Sequence, residues 1–380
     1  MMIIELFFVF FFTFAALFVL RKVAKHIGLV DTPNLRKQHE GVVPLVGGIA
    51  VFSSISYFLF SHPDILPHTG LLLLCLFTLI VVGAIDDKFD ISFKYRLAVQ
   101  VALTCVMMYF TGLELNFIGN IFGLGDMSLG WAASVVTIFA VLAAINAFNM
   151  VDGIDGLLGG LSMVTFTGMA VLLNLSQQHE LAYVCVVVVV AMAPYVMMNM
   201  GFLGRERRVF MGDAGSMMIG FLVIWMLLTI TQPTATPIMR PVTALWLIAL
   251  PLMDMAAIMY RRVKRGRSPF YPDRDHLHHI FQRVGLSKLA TLFTICSFSA
   301  TCALVGVLGE YFVVSEVILF WGFVVTFALY SITLLRNWPK RVAELMDEAM
   351  KQSEGEFVPL RPVKTNSQLS NLEEQKTKSN

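Results

Sequence analysis

The sequence predicts an all-α polytopic integral membrane protein with about eleven transmembrane helices, its N-terminus outside and its C-terminus cytoplasmic. Three observations carry that prediction. Of 380 residues, 57% are apolar and only 14% charged, with a mean hydropathy of +0.73, whereas soluble domains carry about 25% charge. The apolar residues gather into runs near the length of about 20 residues that a helix needs to cross a bilayer core of roughly 30 Å. The basic residues fall almost wholly into the connections on one side. Their total of 28 against 26 acidic residues is too even to suggest nucleic acid as a partner.

In chain order the runs cover 2–20, 45–62, 66–85, 97–113, 131–148, 157–176, 180–201, 213–231, 240–260, 289–309 and 311–335. The first has Glu5 at its start and Arg21, Lys22 and Lys25 behind it in place of a small-residue cleavage site. It reads as a retained span rather than a signal peptide. The second is short and carries Gly47 and Gly48, a pattern shared with broken or re-entrant helices. With eleven spans, the connections at 21–44, 86–96, 149–156, 202–212 and 261–288 and the tail after 335 lie on one face. They hold 27 of the 28 basic residues, Arg240 being the exception, so the positive-inside rule makes that face cytoplasmic. Residues 1–335 form the transmembrane domain and 336–380 a cytoplasmic tail, which is predicted disordered from about 351, where Ser, Asn, Gln, Lys and Glu dominate. The five cysteines all lie in apolar runs without a CxxC pair, which implies neither a disulfide framework nor a zinc site.

Acidic residues cluster at span ends on the cytoplasmic face. Asp86, Asp87 and Asp90 lie in AIDDKFDIS, Asn146, Asn149, Asp152 and Asp155 in NAFNMVDGIDGL, and Asp213 in RVFMGDAGS. Crowded carboxylates repel one another and are costly near lipid unless a cation compensates them. Magnesium accepts a few protein oxygens together with water and substrate phosphates, which suits ligands drawn from separate loops. The plainer reading is helix capping: Asp155 before Gly156 and Asp213 before Ala214 both stand where an N-cap belongs. Capping explains one aspartate more easily than three clusters on one face.

A long basic loop, RRVKRGRSPFYPDRDHLHHIFQR, combines Arg261, Arg262, Lys264, Arg265 and Arg267 with His276, His278 and His279. Arginine holds phosphate oxygens bidentately. The arginine run also follows from topology and from attraction to anionic lipid, but neither has a use for HLHH. These features together describe a cytosol-facing site for a cation and phosphate, and so phosphoryl or phosphoglycosyl transfer to a lipid. A transporter would place its carboxylates near mid-span. Only Asp254, in PLMDMAAIMY, lies that deep, either as a structural partner of Arg261 or Arg262 or as a site residue.

The ordered set AIDDKFD, NAFNMVDGIDGL, RVFMGDAGS and SPFYPDRDHLHH resembles the polyprenyl-phosphate N-acetylhexosamine-1-phosphate transferases. Within them it is most similar to the bacterial undecaprenyl-phosphate GlcNAc-1-phosphate transferases and more distantly to the MurNAc-pentapeptide translocases. The resemblance spans about Leu35 to Arg283. It implies an enzyme of the bacterial inner membrane that moves GlcNAc-1-phosphate from UDP-GlcNAc to undecaprenyl phosphate with Mg2+ or Mn2+, releasing UMP and opening enterobacterial common antigen or O-antigen lipopolysaccharide synthesis. A related transferase using UDP-GalNAc is the alternative.

By the same resemblance Asp213 is a metal ligand with Asn149 as a second, and Asp86 is the general base with Asp87 beside it. Asp152 and Asp155 face the nucleotide sugar, Phe210 stacks on uracil, and His276, His278 and His279 lie near the phosphates. Arg205, Arg207, Arg208 and Arg265 are candidate phosphate partners, and Asp90 stands where the translocases carry a lysine. An early lysine of the translocase site has no clean match, Lys37 or His39 being the candidates. The oligomeric state stays open, a homodimer included.

Overall fold

The computed structural model describes residues 2–32, 41–232, 237–268 and 276–333. Every predicted apolar run falls on a helix. In chain order these are α1 (Met2–Ile27), a two-residue strand pair β1 (Val30–Asp31) and β2 (Val43–Pro44), α2 (Gly47–Ser61), α3 (Thr69–Phe89), α4 (Phe93–Thr111), α5 (Ala133–Met150), α6 (Leu157–Leu175), α7 (His179–Asn199), α8 (Gly212–Thr231), α9 (Pro241–Leu247), α10 (Ala249–Lys264), α11 (Leu277–Arg283), α12 (Lys288–Tyr311) and α13 (Glu316–Ile332). Among the described residues seven helices are long and apolar enough to cross a membrane, or eight if the bent pair α9 and α10 counts as one span; α2 and α13 are shorter apolar helices. Helix α4 carries Lys94 and Arg96 in its first turn. The chain is an all-α multi-pass membrane protein. The predicted tail, 336–380, and Lys37 and His39 lie outside the described residues.

Helix α8 is the axis of the bundle, with 94% of its most apolar window buried. In lipid there is no hydrophobic force between helices, so close packing of small residues drives association. The sequence supplies them at the entrance of α8, GDAGSMMIG. A Cβ at Gly48 would strike the backbone of Gly215, one at Gly83 the backbone of Ala214, and one at Gly220 the backbone of Ile145. These contacts bring α2, α3 and α5 against α8, and α3 and α5 end in the predicted acidic clusters.

The segment before α8 is held as an extended strand. Phe210 N–H donates to Pro44 O (2.9 Å), and Phe210 O accepts from Gly47 N–H (2.9 Å). Phe210 and Leu45 form a parallel bridge.

The bend of 79° between α9 and α10 has a covalent cause. Pro251 has no N–H to give the carbonyl four residues earlier, and that carbonyl, of Leu247, accepts instead from Thr165 Oγ1 of α6 (3.1 Å).

Candidate active site

The ends of α3 and α5, the first turn of α4 and the start of α8 converge on one cluster. Arg96 Nη1 lies 2.7 Å from Asp86 Oδ2 and 2.9 Å from Asp213 Oδ2, so a single cationic nitrogen bridges carboxylates 127 residues apart in sequence. The other oxygen of Asp213 accepts from Asn149 Nδ2 at 2.6 Å, and the same amide reaches Ser216 Oγ at 2.8 Å. Asp86 is 6% exposed, and a carboxyl so buried stays ionised only with a counter-charge such as Arg96 beside it.

Asp87 does different work. Its Oδ1 accepts from Asp213 N–H (2.8 Å) and its Oδ2 from Ala214 N–H (3.3 Å). The first N–H groups of a helix lack intrahelical partners and carry partial positive charge, so Asp87 of α3 caps α8. Gly212 takes φ +74°, and a Cβ there would collide with the Asp87 carboxylate.

Helix capping, the plainer reading of these motifs, does not account for Asp155 or Asp213. Asp213 lies inside α8 with Met211 as N-cap, Gly156 is the N-cap of α6, and neither cap residue makes a side-chain cap bond. The aspartate side chains turn elsewhere because a better partner is within reach. Asp155 pairs with Arg208 at 3.2 Å, and Asp213 with Arg96 and Asn149.

The loop between α5 and α6 carries Asp152, exposed, and Asp155, half-buried. Buried Asn199 ties it down, taking Gly156 N–H on Oδ1 (2.5 Å) and giving Nδ2 to Val209 O (2.9 Å). The histidine motif sits against the same loop. His278 is 2% exposed, and a Cβ at Gly153 would fall on its ring. Burial pushes the His278 imidazole down to about 3, with His279 and His276 acting in the same direction, so it is neutral. Its Nε2 is buried without a hydrogen-bond partner among the described residues. The three imidazoles form one group: the His276 and His278 rings stack at 5.5 Å, and His278 and His279 lie 4.2 Å apart.

The remaining predicted residues are spread more widely. Asp90 ends α3 at φ +52° with its N–H on Asp86 O (2.8 Å), and it is exposed. Arg205 and Arg207 lie in a short exposed 3-10 turn, and exposed Arg265 follows α10. Phe210 is half-buried, its backbone engaged as above. Residues 269–275 of the basic loop lie outside the described residues.

Sequence reasoning missed Arg96, Ser216 and Asn199. Arg96 counts there only toward sidedness, and nothing local separates it from Lys88 and Lys94. Asn199 did leave a signal, as an amide closing an otherwise apolar run.

A divalent cation fits this donor set. Asp86 and Asp213 present carboxylate oxygens to one cationic nitrogen, while Asn149 faces Asp213 with its amide nitrogen, so that it would ligate a cation only with its Oδ1 turned inward. Among the described residues no three His, Cys, Asp or Glu side chains form a metal cage, and magnesium does not require one, since water and phosphate complete its shell. Beside the cluster opens a pocket of about 100 Å3 lined by Phe93, Arg96 and Leu97 of α4, Asn149 and Met150 of α5, and Arg262 of α10, among others. Paired carboxylates, a shared arginine and a histidine group gather at one end of a membrane bundle, a set suited to binding phosphate.

Residues 69–231 match the model of glycosyl transferase family 4. At nearly full length the chain is 51% identical over 344 residues to an undecaprenyl-phosphate alpha-N-acetylglucosaminyl 1-phosphate transferase of Yersinia pestis, covering 90% of this chain and 93% of the relative. It is 50% identical to the protein of that name from Escherichia coli strain K12 (87% and 90% covered), and 45% identical to that from Haemophilus influenzae (88% and 94% covered). The chain belongs to glycosyl transferase family 4, and its carboxylate cluster lies within the matched segment.

Proposed function

We propose that the protein transfers GlcNAc-1-phosphate from UDP-GlcNAc to undecaprenyl phosphate, giving undecaprenyl-diphospho-GlcNAc and UMP at the cytoplasmic face of the bacterial inner membrane. The observation that carries this reading is Arg96 shared between Asp86 and Asp213, beside a pocket that a second arginine also lines. The names of the relatives support the acceptor and the sugar phosphate. The eleven alternating spans read from the sequence, which put 27 of 28 basic residues on one face, support the sidedness. In the cell the product would open enterobacterial common antigen or O-antigen lipopolysaccharide synthesis.

The chemistry is a displacement at phosphorus. An oxygen of the lipid phosphate attacks the β-phosphorus of UDP-GlcNAc, the bond from that phosphorus to the bridging oxygen breaks, and UMP departs with the electron pair. A bound Mg2+ or Mn2+ would neutralise the diphosphate oxygens as charge shifts to the leaving phosphate. Asp213 and Asn149 would hold that ion, with Asp86 beside them. A phosphate monoester is largely ionised near neutral pH, so Asp86 contributes less as a proton acceptor than by orienting Arg96 and the ion. Arg96 and Arg262 line the pocket where the lipid phosphate would sit, close enough to hydrocarbon for the isoprenoid chain to stay in the bilayer. Asp87 holds the α8 entrance rigid, so that Asp213 is preorganised. Asp152, Asp155 and Phe210 would face the nucleotide sugar, with the three histidines packed behind the α5–α6 loop.

The test is UMP release by protein in detergent with undecaprenyl phosphate, comparing UDP-GlcNAc, UDP-GalNAc and UDP-MurNAc-pentapeptide, with and without EDTA. Release from UDP-GlcNAc alone, abolished by EDTA and restored by Mg2+, is the expected result. Preference for UDP-GalNAc would move the donor assignment, and no release from folded protein with any donor would overturn the reaction.

A further inference from the structure

Asp254 is a carboxylate inside an apolar helix, 3% exposed. Ionisable groups at such depth are costly and require partners. From sequence the candidates were Arg261 and Arg262, further along the same helix. The structure supplies three donors from elsewhere. Oδ1 accepts from Tyr330 Oη of α13 (2.8 Å) and from Leu277 N–H, the first residue of α11 (3.3 Å), while Oδ2 lies 3.3 Å from His276 Nδ1.

Two of those donors belong to the histidine motif, and the motif cannot hold itself. Helix α11 has seven residues, well short of the roughly 12 to 15 at which an isolated helix becomes even marginally stable. Its N-terminus is therefore placed by what it docks on. Asp254 provides that dock, and Tyr330, 9% exposed, fixes the carboxylate through the oxygen that also takes Leu277 N–H. The chain of contacts then runs from His276 through its stacked partner His278 to Gly153, between Val151 and Asp155 in the loop that faces the donor in the proposed reaction. Both anchors lie outside residues 69–231, the segment matched by the family model.

We infer that Asp254 and Tyr330 are positioning residues for the transfer: together they seat His276 and the start of α11 so that the histidine motif packs on the α5–α6 loop. The consequence for kinetics rests on the proposed reaction; the anchoring does not.

The experiment has two arms, on full-length protein in detergent. The first measures steady-state UMP release for Asp254→Asn, Tyr330→Phe, His276→Ala and the two double variants with His276→Ala. Removing a group that orients a site residue costs about 10- to 100-fold, so Asp254→Asn should lower kcat in that range, and Tyr330→Phe about tenfold. KM for undecaprenyl phosphate, whose pocket lies on the α4 side, should stay within about twofold of wild type. If Asp254 acts through His276, adding Asp254→Asn to His276→Ala costs less than about twofold more. Multiplying losses, or wild-type kcat in Tyr330→Phe, would overturn the inference.

The second arm needs no turnover. Diethyl pyrocarbonate labelling read by mass spectrometry should find His278 protected in wild type and modified several-fold faster in Asp254→Asn and Tyr330→Phe. Equal labelling in all three would overturn the anchoring. If wild-type protein released no UMP, the reaction would fall, and this arm would still decide the anchor.

Discussion

Two arginine-centred clusters stand at opposite ends of the bundle, and the difference between them separates structure from chemistry. At one end Arg240, the basic residue that sidedness leaves alone on its face, meets Glu310 through Nε at 3.1 Å. It spends its other donors on the carbonyls of Val314 (2.5 Å) and Gly309 (2.8 Å), while Thr243 Oγ1 gives Glu310 a further hydrogen bond. Every hydrogen bond that Arg240 makes closes inward, tying α9 to the end of α12, with Glu316 close enough to interact with the same guanidinium. At the other end Arg96 answers Asp86 and Asp213, with Asp87 directly behind them. Negative charge is in excess there, and the arginine lines an open pocket. A closed knot has nothing left to bind with, whereas carboxylates beside an open pocket are built to take up a cation and, through it, phosphate.

The comparison is broken most sharply at the open end. Asp213→Asn keeps the shape of the side chain and removes the charge that a cation requires. UMP release should fall by about 10²- to 10³-fold, the range for a lost electrostatic group at a reacting phosphate, with the unfolding midpoint in detergent little changed. A midpoint that collapses with the activity would make Asp213 a structural residue like Glu310. Arg240→Ala should do the reverse. It strands a largely buried carboxylate, costing about 3 kcal/mol of stability, while turnover per folded molecule stays at the wild-type level. Reduced turnover in the folded fraction would show the two ends to be coupled.

A smaller effect tests the packing that brings the open cluster together. Gly48→Ala forces backbone against backbone at Gly215 and should destabilise by about 2 kcal/mol, as overpacking does. Gly70→Ala, where nothing lies within 4 Å of the new Cβ, should be neutral. Comparable midpoints for the two would remove α8 as the close-packed axis. The smallest effect concerns pH. His278 is held neutral with its pKa down near 3, below its ordinary value of 6.5. Its contribution is intact above about 6.5 and is lost as pH falls, because the unfolded chain takes up the proton first. The loss should reach about 1 kcal/mol by pH 5.5, and His278→Asn should flatten that slope in unfolding measured between pH 7 and 5.5.

Asp86, Asn149 and Asp213 were visible because carboxylates and amides at the ends of apolar runs violate the composition around them. Arg96 was not, because a basic residue at the end of a span is already accounted for by the positive-inside reading, and only its distance to two carboxylates reveals a second use. Asp87 and Asp213 read alike in sequence, each in an acidic motif at a span end, and the fold gave one to a helix terminus and the other to the site.

What the sequence determined by itself was the class of molecule and the sites of its chemistry along the chain. Transfer of apolar runs into lipid is a local, additive energy, and a motif is a local pattern. It also contained the resemblance that the comparisons bear out. What only tertiary structure decided was which partner each charge takes: Arg96 between two helices, Asp155 with Arg208 rather than at its own helix terminus, and Asp254 with Tyr330, His276 and Leu277 rather than with the neighbouring arginines. Electrostatic energy at close contact depends on distances of a few ångströms between segments far apart in the chain, and those distances exist only once glycines such as Gly48, Gly83 and Gly215 have let the helices meet.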